Sequence, residues 1–321
     1  MGRRTVTGSR IGLALRRWVD SGAVPDPAAE ALPRSVDWPR VVPFVAVHLG
    51  CLGAFWTGYS ATAIAVAVAL YVLRMFAITA FYHRYFAHRA FRTSRAAQFA
   101  FALLGASAVQ RGPLWWAAHH RHHHAHADRP ADCHSPTEHG FFWSHVGWFL
   151  ARENFPTRAA LVRDLARYPE LRWLDRYDVV VPVALAALLF VAGEWLESAL
   201  PALGTDGWQL LVWGFCISTV VLWHATFTIN SLAHRFGRRR YETRDDSRNN
   251  AWLALITLGE GWHNNHHRYP ASARQGFYWW ELDLSWYGLR LLGWLGIVEG
   301  LRPVPAAIRD SHRDRQPGGR P

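Results

Sequence analysis

The sequence predicts an all-α integral membrane protein with four transmembrane helices in two hairpins and a cytosolic helical cap that holds a histidine-rich di-metal site. Three observations support this fold class. Half of the 321 residues are hydrophobic, and the longest apolar runs come in two pairs. Arginines accumulate before the first run and are absent from the short loops within each pair. Histidines concentrate in three clusters, at residues 83–88, 120–124 and 263–267.

Four apolar segments are long enough to cross a bilayer as helices. A helix needs about 20 residues to cross the roughly 30 Å of hydrocarbon, and the segments cover residues 41–58, 61–82, 179–200 and 208–230. The loop within each pair is short, so we expect two hairpins. Arg74 lies inside the second segment, where a charge is costly unless it faces protein or reaches the polar interface.

The arginine distribution predicts the orientation of these segments. Positive charge next to short loops resists translocation, and the hairpin loops at residues 58–60 and 200–207 contain no arginine. Both termini and the long segment between the hairpins are therefore expected on the cytoplasmic side, together with all three histidine clusters. The net charge of +11 fits attraction to anionic lipid headgroups. No nucleic-acid recognition motif accompanies this charge, so a nucleic-acid partner is not expected.

These observations divide the chain into three parts. A cytosolic N-terminal segment covers residues 1–40, and a membrane domain covers residues 41–303. Within that domain, residues 83–178 and 231–303 form the predicted cytosolic cap. The polar sequence at residues 304–321, rich in arginine, proline and glycine, is typical of a disordered tail.

The spacing of the histidines within the clusters predicts a metal site. Two sets, which begin at His120 and His263, place imidazoles at positions i, i+3 and i+4, on one face of a helix. Asn230 and His234 repeat the i, i+4 spacing at the cytoplasmic end of the fourth segment. The predicted ligand set, in addition to Asn230, is His83, His88, His120, His123, His124, His234, His263, His266 and His267.

The number of histidines implies two metal ions, because nine imidazoles exceed the four to six ligands that one ion accepts. Imidazole alone does not select among zinc, copper, iron and nickel. His119, His122 and His126 lie off the ligand face and are left out of the set. The run at residues 119–126 could by itself be a metal-scavenging loop, but the distant clusters argue against that. A metal transporter or sensor is the non-enzyme alternative, although it would need polar ligands at mid-membrane depth.

The order of the motifs resembles a known family. The motifs "HRYFAH", "HRHHH", "NSLAH" and "GEGWHNNHH" stand in this order among the four predicted spans. They resemble the histidine boxes of the integral-membrane fatty acyl desaturases of the stearoyl-CoA desaturase type, in the bacterial branch. The segment "GFFWSHVGW" at residues 140–148 is similar to the one that follows the second box in that family. The resemblance extends from about residue 40 to about residue 300.

The resemblance implies a cofactor and a reaction. The nine histidines would bind two iron ions directly, and Asn230 would bind through a water molecule. The family uses O2 and two external electrons to remove two hydrogens from a saturated acyl chain, which yields water and a cis double bond, expected here at the Δ9 position. Related membrane enzymes hydroxylate or decarboxylate acyl chains or form triple bonds, and these outcomes remain alternatives. The positions that match the family's kinked acyl tunnel are Gln110, Trp116 and Thr226.

The sequence leaves the carrier of the acyl chain open. Ala118 and His119 stand where the animal acyl-CoA enzymes of the family have an Arg-Asp pair that contacts coenzyme A. Arg111 or Arg121 could still face phosphates, on the basis of charge alone. Coenzyme A, an acyl carrier protein and a membrane lipid therefore remain alternatives.

The electron donor is expected to be a separate protein. The chain lacks a haem-binding His-Pro-Gly-Gly motif, so a ferredoxin, a cytochrome b5 or a reductase must dock on the cap. The basic residues Arg235 and 238–240 could receive an acidic donor or, alternatively, face lipid headgroups. All 35 basic residues are arginine, which favours a GC-rich genome and the bacterial inner membrane as the location.

Overall fold

The computed structural model describes residues 16–23 and 35–312 and is mostly helical. It confirms the predicted all-α membrane fold. Four helices are long and apolar enough to cross a bilayer, and we call them the first to fourth membrane helices. Their bounds are Arg40–Thr57, Ala61–Ala87, Val180–Ala199 and Gly207–Ser231.

The four membrane helices are not equally buried. In the second and fourth helices, 44% and 56% of the most apolar window is buried, compared with 11% in the first and third. Side-chain caps start the second helix of each hairpin: Ser60 accepts from the Ala63 amide, and Asp206 accepts from the Gln209 amide. These bonds satisfy amides that have no partner within the helix. The second and fourth helices are thus the inner pair of the bundle.

The second membrane helix changes its winding as it approaches the histidine clusters. It is an α-helix over Ala61–Phe76 and a wider π-helix over Ala77–Ala87, and every residue of the π-helix is buried. The helix continues past the predicted end of this span, so His83 lies on the helix itself. π-Helical turns are rare and are found mostly at functional sites. The fourth membrane helix also changes winding, from π over Leu210–Ile217 to α over Ser218–Ser231.

Arg74 is buried within the membrane domain and faces protein. It is only 1% exposed, and its guanidinium donates to Thr219 Oγ1 at 2.7 Å and to Ser218 Oγ at 2.6 Å. It also donates to the carbonyl oxygens of Leu70 and Ser107. These bonds solvate a charge that is expensive at membrane depth, and they join the second and fourth membrane helices.

The cap consists of short helices that precede the second hairpin and follow it. The earlier helices are Arg95–Ala106, Pro113–His126, Pro136–His139, Trp143–Gly147, Trp148–Leu150, Arg152–Asn154, Ala159–Val162, Arg163–Ala166 and Pro169–Arg176. The later helices are Ala251–Ile256, His263–Arg268, Leu284–Trp294 and Ala306–Asp310. Single 3-10 turns occupy Ser21–Ala23 and Pro201–Leu203. An antiparallel ladder joins the two halves of the cap, between strands β1 (Arg92–Thr93) and β2 (Val298–Glu299).

The structure corrects the predicted disordered tail at residues 304–321. The segment to residue 312 is packed, because the hydroxyls of Tyr241 and Tyr278 donate to the Arg309 carbonyl oxygen at 2.6 and 3.2 Å. Polar composition suggested disorder because it does not reveal partners elsewhere in the chain. Residues 313–321 lie outside the described residues.

The predicted N-terminal segment at residues 1–40 is described only in part. Asp20 pairs with Arg176 at 2.8 Å, which holds the first described residues against the cap. Residues 1–15 and 24–34 lie outside the described part of the chain.

Removing the hydroxyl partners of Arg74 should destabilise the membrane domain. In the double variant S218A/T219A the buried guanidinium loses two charge-assisted hydrogen bonds, each worth about 1.5–3 kcal/mol. We expect the free energy of unfolding to fall by about 3–6 kcal/mol, measured by denaturant unfolding in detergent. The matched control is Ser198→Ala, which removes an exposed hydroxyl. Equal stability of the double variant and the control would contradict this account.

Candidate metal centre

The structure brings all nine predicted histidine ligands together in two neighbouring groups. Within each group, one ring nitrogen of every member lies within 4.8 Å of those of the others. The five-histidine group is His83, His88, His120, His124 and His266. The four-histidine group is His123, His234, His263 and His267. The second and third histidine clusters each contribute to both groups, so a cluster in the sequence is not a ligand set in space.

The nitrogens of the five-histidine group face one another at short distances. His120 Nε2 lies 2.8 Å from His88 Nε2 and 3.0 Å from His124 Nε2. His266 Nε2 lies 2.9 Å from His124 Nε2 and 3.0 Å from His83 Nε2. Two nitrogens bound at right angles to one ion, each about 2.1 Å from it, lie about 3.0 Å apart. The five rings are therefore spaced as ligands of a single ion.

The rings of the four-histidine group also lie close together. His234 Nε2 lies 2.9 Å from His263 Nε2, and the ring centroids of His123 and His267 are 5.2 Å apart. The Nε2 atom of His267 is buried without a hydrogen-bond partner among the described residues. Such an atom is costly, and a metal ion bound by this group would satisfy it. Asn230 lines the same cavity as His123 and His263, so the structure also brings the tenth predicted residue here.

Burial keeps most of these imidazoles in the neutral form that binds metal. It lowers the pKa well below the usual range, with a further contribution from neighbouring histidines, for His88, His120, His124, His263 and His266. Burial also lowers the pKa of His267 to about 4, although Asp245 opposes this shift. Because a histidine must be unprotonated to bind a metal, these six rings can accept a cation at neutral pH.

Four carboxylates orient ligand histidines from outside the two groups. Each accepts a hydrogen bond from the Nδ1 atom of one ring, which leaves the Nε2 atom for the metal. The pairs are Asp132 with His123 at 2.8 Å, Asp128 with His234 at 2.7 Å, Asp245 with His267 at 2.9 Å, and Glu260 with His83.

These carboxyl groups remain ionised although they are buried. Burial raises the pKa of Asp128, but hydrogen bonds from His234 and other donors outweigh it and bring the pKa to about 2. Burial is likewise outweighed at Asp132 and Asp245, chiefly by histidines, and their pKa values lie well below the usual range. The carboxylates therefore supply negative charge around a site built for cations.

None of these four carboxylates was predicted from the sequence. A usable signal exists for three of them, because a metal-bound histidine commonly donates its other nitrogen to an acid. Asp128 and Asp132 follow the second histidine cluster closely, and Glu260 stands just before the third. Asp245 lies in a loop distant from every cluster in the sequence, so only the folded chain identifies it.

A buried polar network holds Glu260 against His83. Glu260 accepts from Gln275 Nε2 at 3.1 Å and from Arg84 Nη2 at 3.4 Å. Arg84 is fully buried and also pairs with Asp283 at 2.9 Å. The network balances the charge of Glu260 and fixes its position relative to the ligand.

The glycines on both sides of Glu260 are required by close packing. Gly259 has a φ of +127°, and a Cβ at this residue would lie 2.4 Å from Asp283 Oδ1. A Cβ on Gly261 would lie 2.0 Å from the backbone nitrogen of Ala254. Only glycine tolerates these positions, which gives a physical reason for the "GEG" sequence before the third cluster.

A cavity extends from the histidine groups into the membrane domain. Its wall includes His120, His123 and His263 on the side of the metal site. Met75 of the second membrane helix and Ile229 of the fourth contribute apolar surface to the same wall. An apolar chain in this cavity would lie directly beside the ligand histidines.

The three predicted substrate residues form one hydrogen-bonded cluster at this cavity. Gln110 Nε2 donates to Thr226 Oγ1 at 3.1 Å, and Trp116 Nε1 donates to Gln110 Oε1 at 3.3 Å. Trp116 and Thr226 line the cavity, and the Trp116 ring stacks on His120 with centroids 5.0 Å apart. The structure therefore brings these residues together next to the metal site.

The three histidines that were left out of the predicted ligand set lie outside both groups. His119, His122 and His126 belong to neither group, and each ring donates to a backbone carbonyl oxygen.

The two arginines that could have faced phosphates are engaged within the protein. Arg111 pairs with Asp178 at 2.6 Å, and Arg121 pairs with Asp164 at 2.7 Å. Arg121 also donates to the Phe86 carbonyl oxygen at 2.8 Å. Both guanidiniums therefore hold parts of the cap together.

Comparisons with known proteins agree with this architecture. The fatty acid desaturase family model matches residues 43–295. The chain is 36% identical over 272 residues to an sn-1 stearoyl-lipid 9-desaturase from Anabaena variabilis. The aligned region covers 83% of this chain and 94% of that protein. It is 38% identical over 274 residues to an sn-2 palmitoyl-lipid 9-desaturase from Nostoc sp. (strain 36), with coverage of 84% and 91%. It is 36% identical over 266 residues to an acyl-CoA 5-desaturase from Anemone leveillei, with coverage of 82% and 78%.

Four membrane helices and two buried or partly buried histidine groups define an integral membrane protein with a histidine-rich site that could hold metal ions. The chain belongs to the fatty acid desaturase family. It is accordingly an oxidoreductase of lipid metabolism, and the predicted family is confirmed.

Changing Asp245 to Asn should weaken metal binding. The substitution removes the charge that orients His267, and the loss of such a partner typically costs 10–100-fold in metal affinity. We expect metal retention against a competing chelator to fall by about that factor, measured by metal analysis of the purified protein. The control is Asp246→Asn, because the Asp246 side chain contacts Thr137 and Arg239 and no ligand histidine. Equal metal retention in the two variants would contradict the assignment.

Proposed function

We propose that this enzyme introduces a cis double bond at the Δ9 position of a saturated acyl chain, with O2 as the oxidant. The observation that carries the proposal is the cavity whose wall combines ligand histidines with apolar side chains of the inner membrane helices. The names of the relatives support the reaction, and two of them specify the ninth position.

Two iron ions are the proposed cofactor. The five-histidine group would hold one ion, and the four-histidine group would hold the other with Asn230 through a water molecule. Imidazole is a suitable ligand for iron among other metals, and membership in the desaturase family favours iron. When bound, the irons supply an oxidant that can remove hydrogen from an unactivated methylene, which acid–base side chains cannot do.

The proposed reaction is balanced by two external electrons. Two C–H bonds on adjacent methylene carbons break, and a carbon–carbon double bond forms. One O2 is reduced to two water molecules. The reduction consumes the two hydrogen atoms from the substrate, two electrons from a separate donor protein and two protons from solvent.

Gln110, Thr226 and Trp116 are proposed to select the methylene that reacts. Their hydrogen bonds to one another fix the shape of the cavity wall beside His120. Because a displacement of about 1 Å can cost a factor of 100 in rate, this wall must hold the chain in one register.

The proposed substrate is an acyl chain linked to a membrane lipid. Two relatives that the chain covers almost completely are named as stearoyl-lipid and palmitoyl-lipid desaturases. Arg111 and Arg121 are already paired with Asp178 and Asp164, so they are not available for the phosphates of coenzyme A.

The proposed location is the inner membrane of a bacterium, with both termini and the metal centre on the cytoplasmic side. The arginine-free hairpin loops at residues 58–60 and 200–207 support this orientation. Residues 41–303 are the proposed catalytic domain, and the family match over residues 43–295 supports that boundary.

Expression in a bacterial host without a desaturase of its own tests the proposed function. The cells should accumulate cis-Δ9 monoenes in their glycerolipids when a compatible electron donor is supplied, as measured by mass spectrometry of the lipids. His266→Ala removes a ligand of the five-histidine group and should abolish these products. The control is His126→Ala on the same helix as His120, which should leave them unchanged. Hydroxylated or shortened chains, or unchanged lipids, would contradict the proposal.

Thr226→Val should disturb the position of the double bond. The substitution keeps the shape of the side chain but removes the oxygen that accepts from Gln110. We expect isomers other than Δ9 to appear and turnover to fall by about tenfold, because the chain loses its fixed register. The matched control is Thr228→Val, because among the described residues the Thr228 hydroxyl bonds only to the Ala225 carbonyl oxygen in its own helix. A single Δ9 product at the normal rate in T226V would show that the cluster does not position the substrate.

A further inference from the structure

We propose that a basic groove on the cap is the docking site of an acidic one-electron carrier protein, and that electrons enter the enzyme at Trp262. The inference rests on the proposed function, because the proposed desaturation consumes two electrons from a separate donor for each double bond. The wall of this groove, called the entry groove below, includes Arg238, Arg239, Arg240, Asn249, Trp262 and Trp280.

Trp262 connects the groove to both histidine groups. Its carbonyl carbon forms the peptide bond to His263, which belongs to the four-histidine group. Its carbonyl oxygen accepts from the backbone amide of His266, which belongs to the five-histidine group, at 3.1 Å. An electron that reaches Trp262 is therefore a few bonds from the ligands of either metal ion.

A second residue of the groove is hydrogen-bonded to the helix that carries the third histidine cluster, which we call the ligand helix. Asn249 lines the groove, and its side-chain amide donates to Asn265 Oδ1 at 2.7 Å. Asn265 lies between His263 and His266 on the helix His263–Arg268. A carrier bound in the groove would thus lie one hydrogen bond away from the helix that contributes histidines to both groups.

The charge of the groove favours an acidic partner. The chain segment from residue 235 to residue 248 contains six arginines and three acids. Asp245 is engaged by His267, and the ion pairs Asp246–Arg239 and Glu281–Arg240 offset two of the arginines, with Glu281 itself in the groove wall. Arg238 is exposed and forms no ion pair with any described residue. The positive surface that remains would steer an acidic carrier toward Trp262 and accelerate its association.

The composition of the groove is that of a protein interface. The Trp280 side chain is 55% exposed, and its ring stacks on Tyr278 with centroids 4.7 Å apart. Arg240 lies over the same Tyr278 ring, 4.9 Å from its centroid, and pairs with Glu281. Aromatic and arginine side chains held in this way are enriched at protein interfaces. A lipid headgroup would use the charge of the groove but would not require its connection to the ligand helix.

Because the carrier transfers one electron at a time, two reduced carriers must bind in succession for each double bond. Each reduced carrier is oxidised by one electron in the groove, and two electrons are consumed for each double bond formed. The carrier, reduced by its own reductase, is the only reductant that the proposal adds.

Charge reversal at Arg238 tests the docking site. The full-length enzyme is placed in neutral phosphatidylcholine vesicles, with an acidic [2Fe–2S] ferredoxin and its reductase as the probe. We expect Arg238→Glu to raise the KM for ferredoxin about tenfold while kcat and metal content stay unchanged. The matched control is Arg172→Glu, an exposed arginine on the helix Pro169–Arg176, which should leave KM unchanged. Equal KM values for R238E and R172E would overturn the proposal.

A second variant tests the entry point itself. Trp262→Leu keeps the backbone link to both groups but removes the indole, so we expect kcat with ferredoxin to fall about tenfold while KM stays unchanged. After anaerobic reduction with the small reductant dithionite, removal of the excess and addition of O2, W262L and R238E should form as much double bond in one turnover as the wild type. Equal losses with dithionite and with ferredoxin would mean a structural defect and would overturn the assignment. Weaker binding of R238E to anionic phosphatidylglycerol vesicles, with unchanged KM for ferredoxin, would assign the groove to lipid instead.

The test separates this inference from the proposed function. If the wild-type enzyme forms no double bond with ferredoxin and none in the single turnover after reduction by dithionite, the proposed reaction fails whatever the groove does. The affinity of ferredoxin for wild type and R238E, measured by calorimetry, still reports on the docking surface in that case.

Discussion

The rest of the structure depends on one constraint, the convergence of nine buried or partly buried imidazoles. Several of their ring nitrogens have no hydrogen-bond partner among the described residues. Neighbouring Nε2 atoms in the five-histidine group lie about as far apart as ligands of one ion. Burial keeps most of the rings uncharged, so repulsion between cations does not force them apart. Metal ions are what this arrangement fits, and the surrounding carboxylates compensate for their charge.

The neighbouring elements follow from holding these rings in place. The second membrane helix supplies His83 and the fourth supplies Asn230, each near its C-terminal end, and the π-helical winding of the second helix brings a fully buried segment to the site. Two short helices of the cap supply six of the predicted ligands, and His88 and His234 lie just after the ends of the two inner membrane helices. The cavity for an apolar chain lies between the inner helices and the ligand helices, whereas the basic groove lies on the outer side of the ligand helix. In the proposed enzyme, substrate and electrons would therefore reach the same histidines from different sides.

Much of the fold and the convergence of the nine histidines could be predicted from the sequence, because both depend on local patterns. Apolar runs of membrane length indicated the four helices, and the repeated i, i+3, i+4 spacing indicated which histidines share a helix face. The division into two groups could not be predicted, because His123 and His124 are adjacent in sequence but belong to different groups. The role of Asp245 and the ordering of the segment near Arg309 depend on contacts across long sequence distances. Patterns within a short window carry no information about such contacts.

The most direct test of the central claim is the iron content and coordination of the purified enzyme, by metal analysis and Mössbauer spectroscopy. The account predicts two irons per chain in two nitrogen-rich environments. His88→Ala should alter the signal of one iron and His263→Ala the signal of the other, while His126→Ala should preserve both. A single iron per chain, or one common change in both ligand variants, would contradict the assignment of two separate histidine groups.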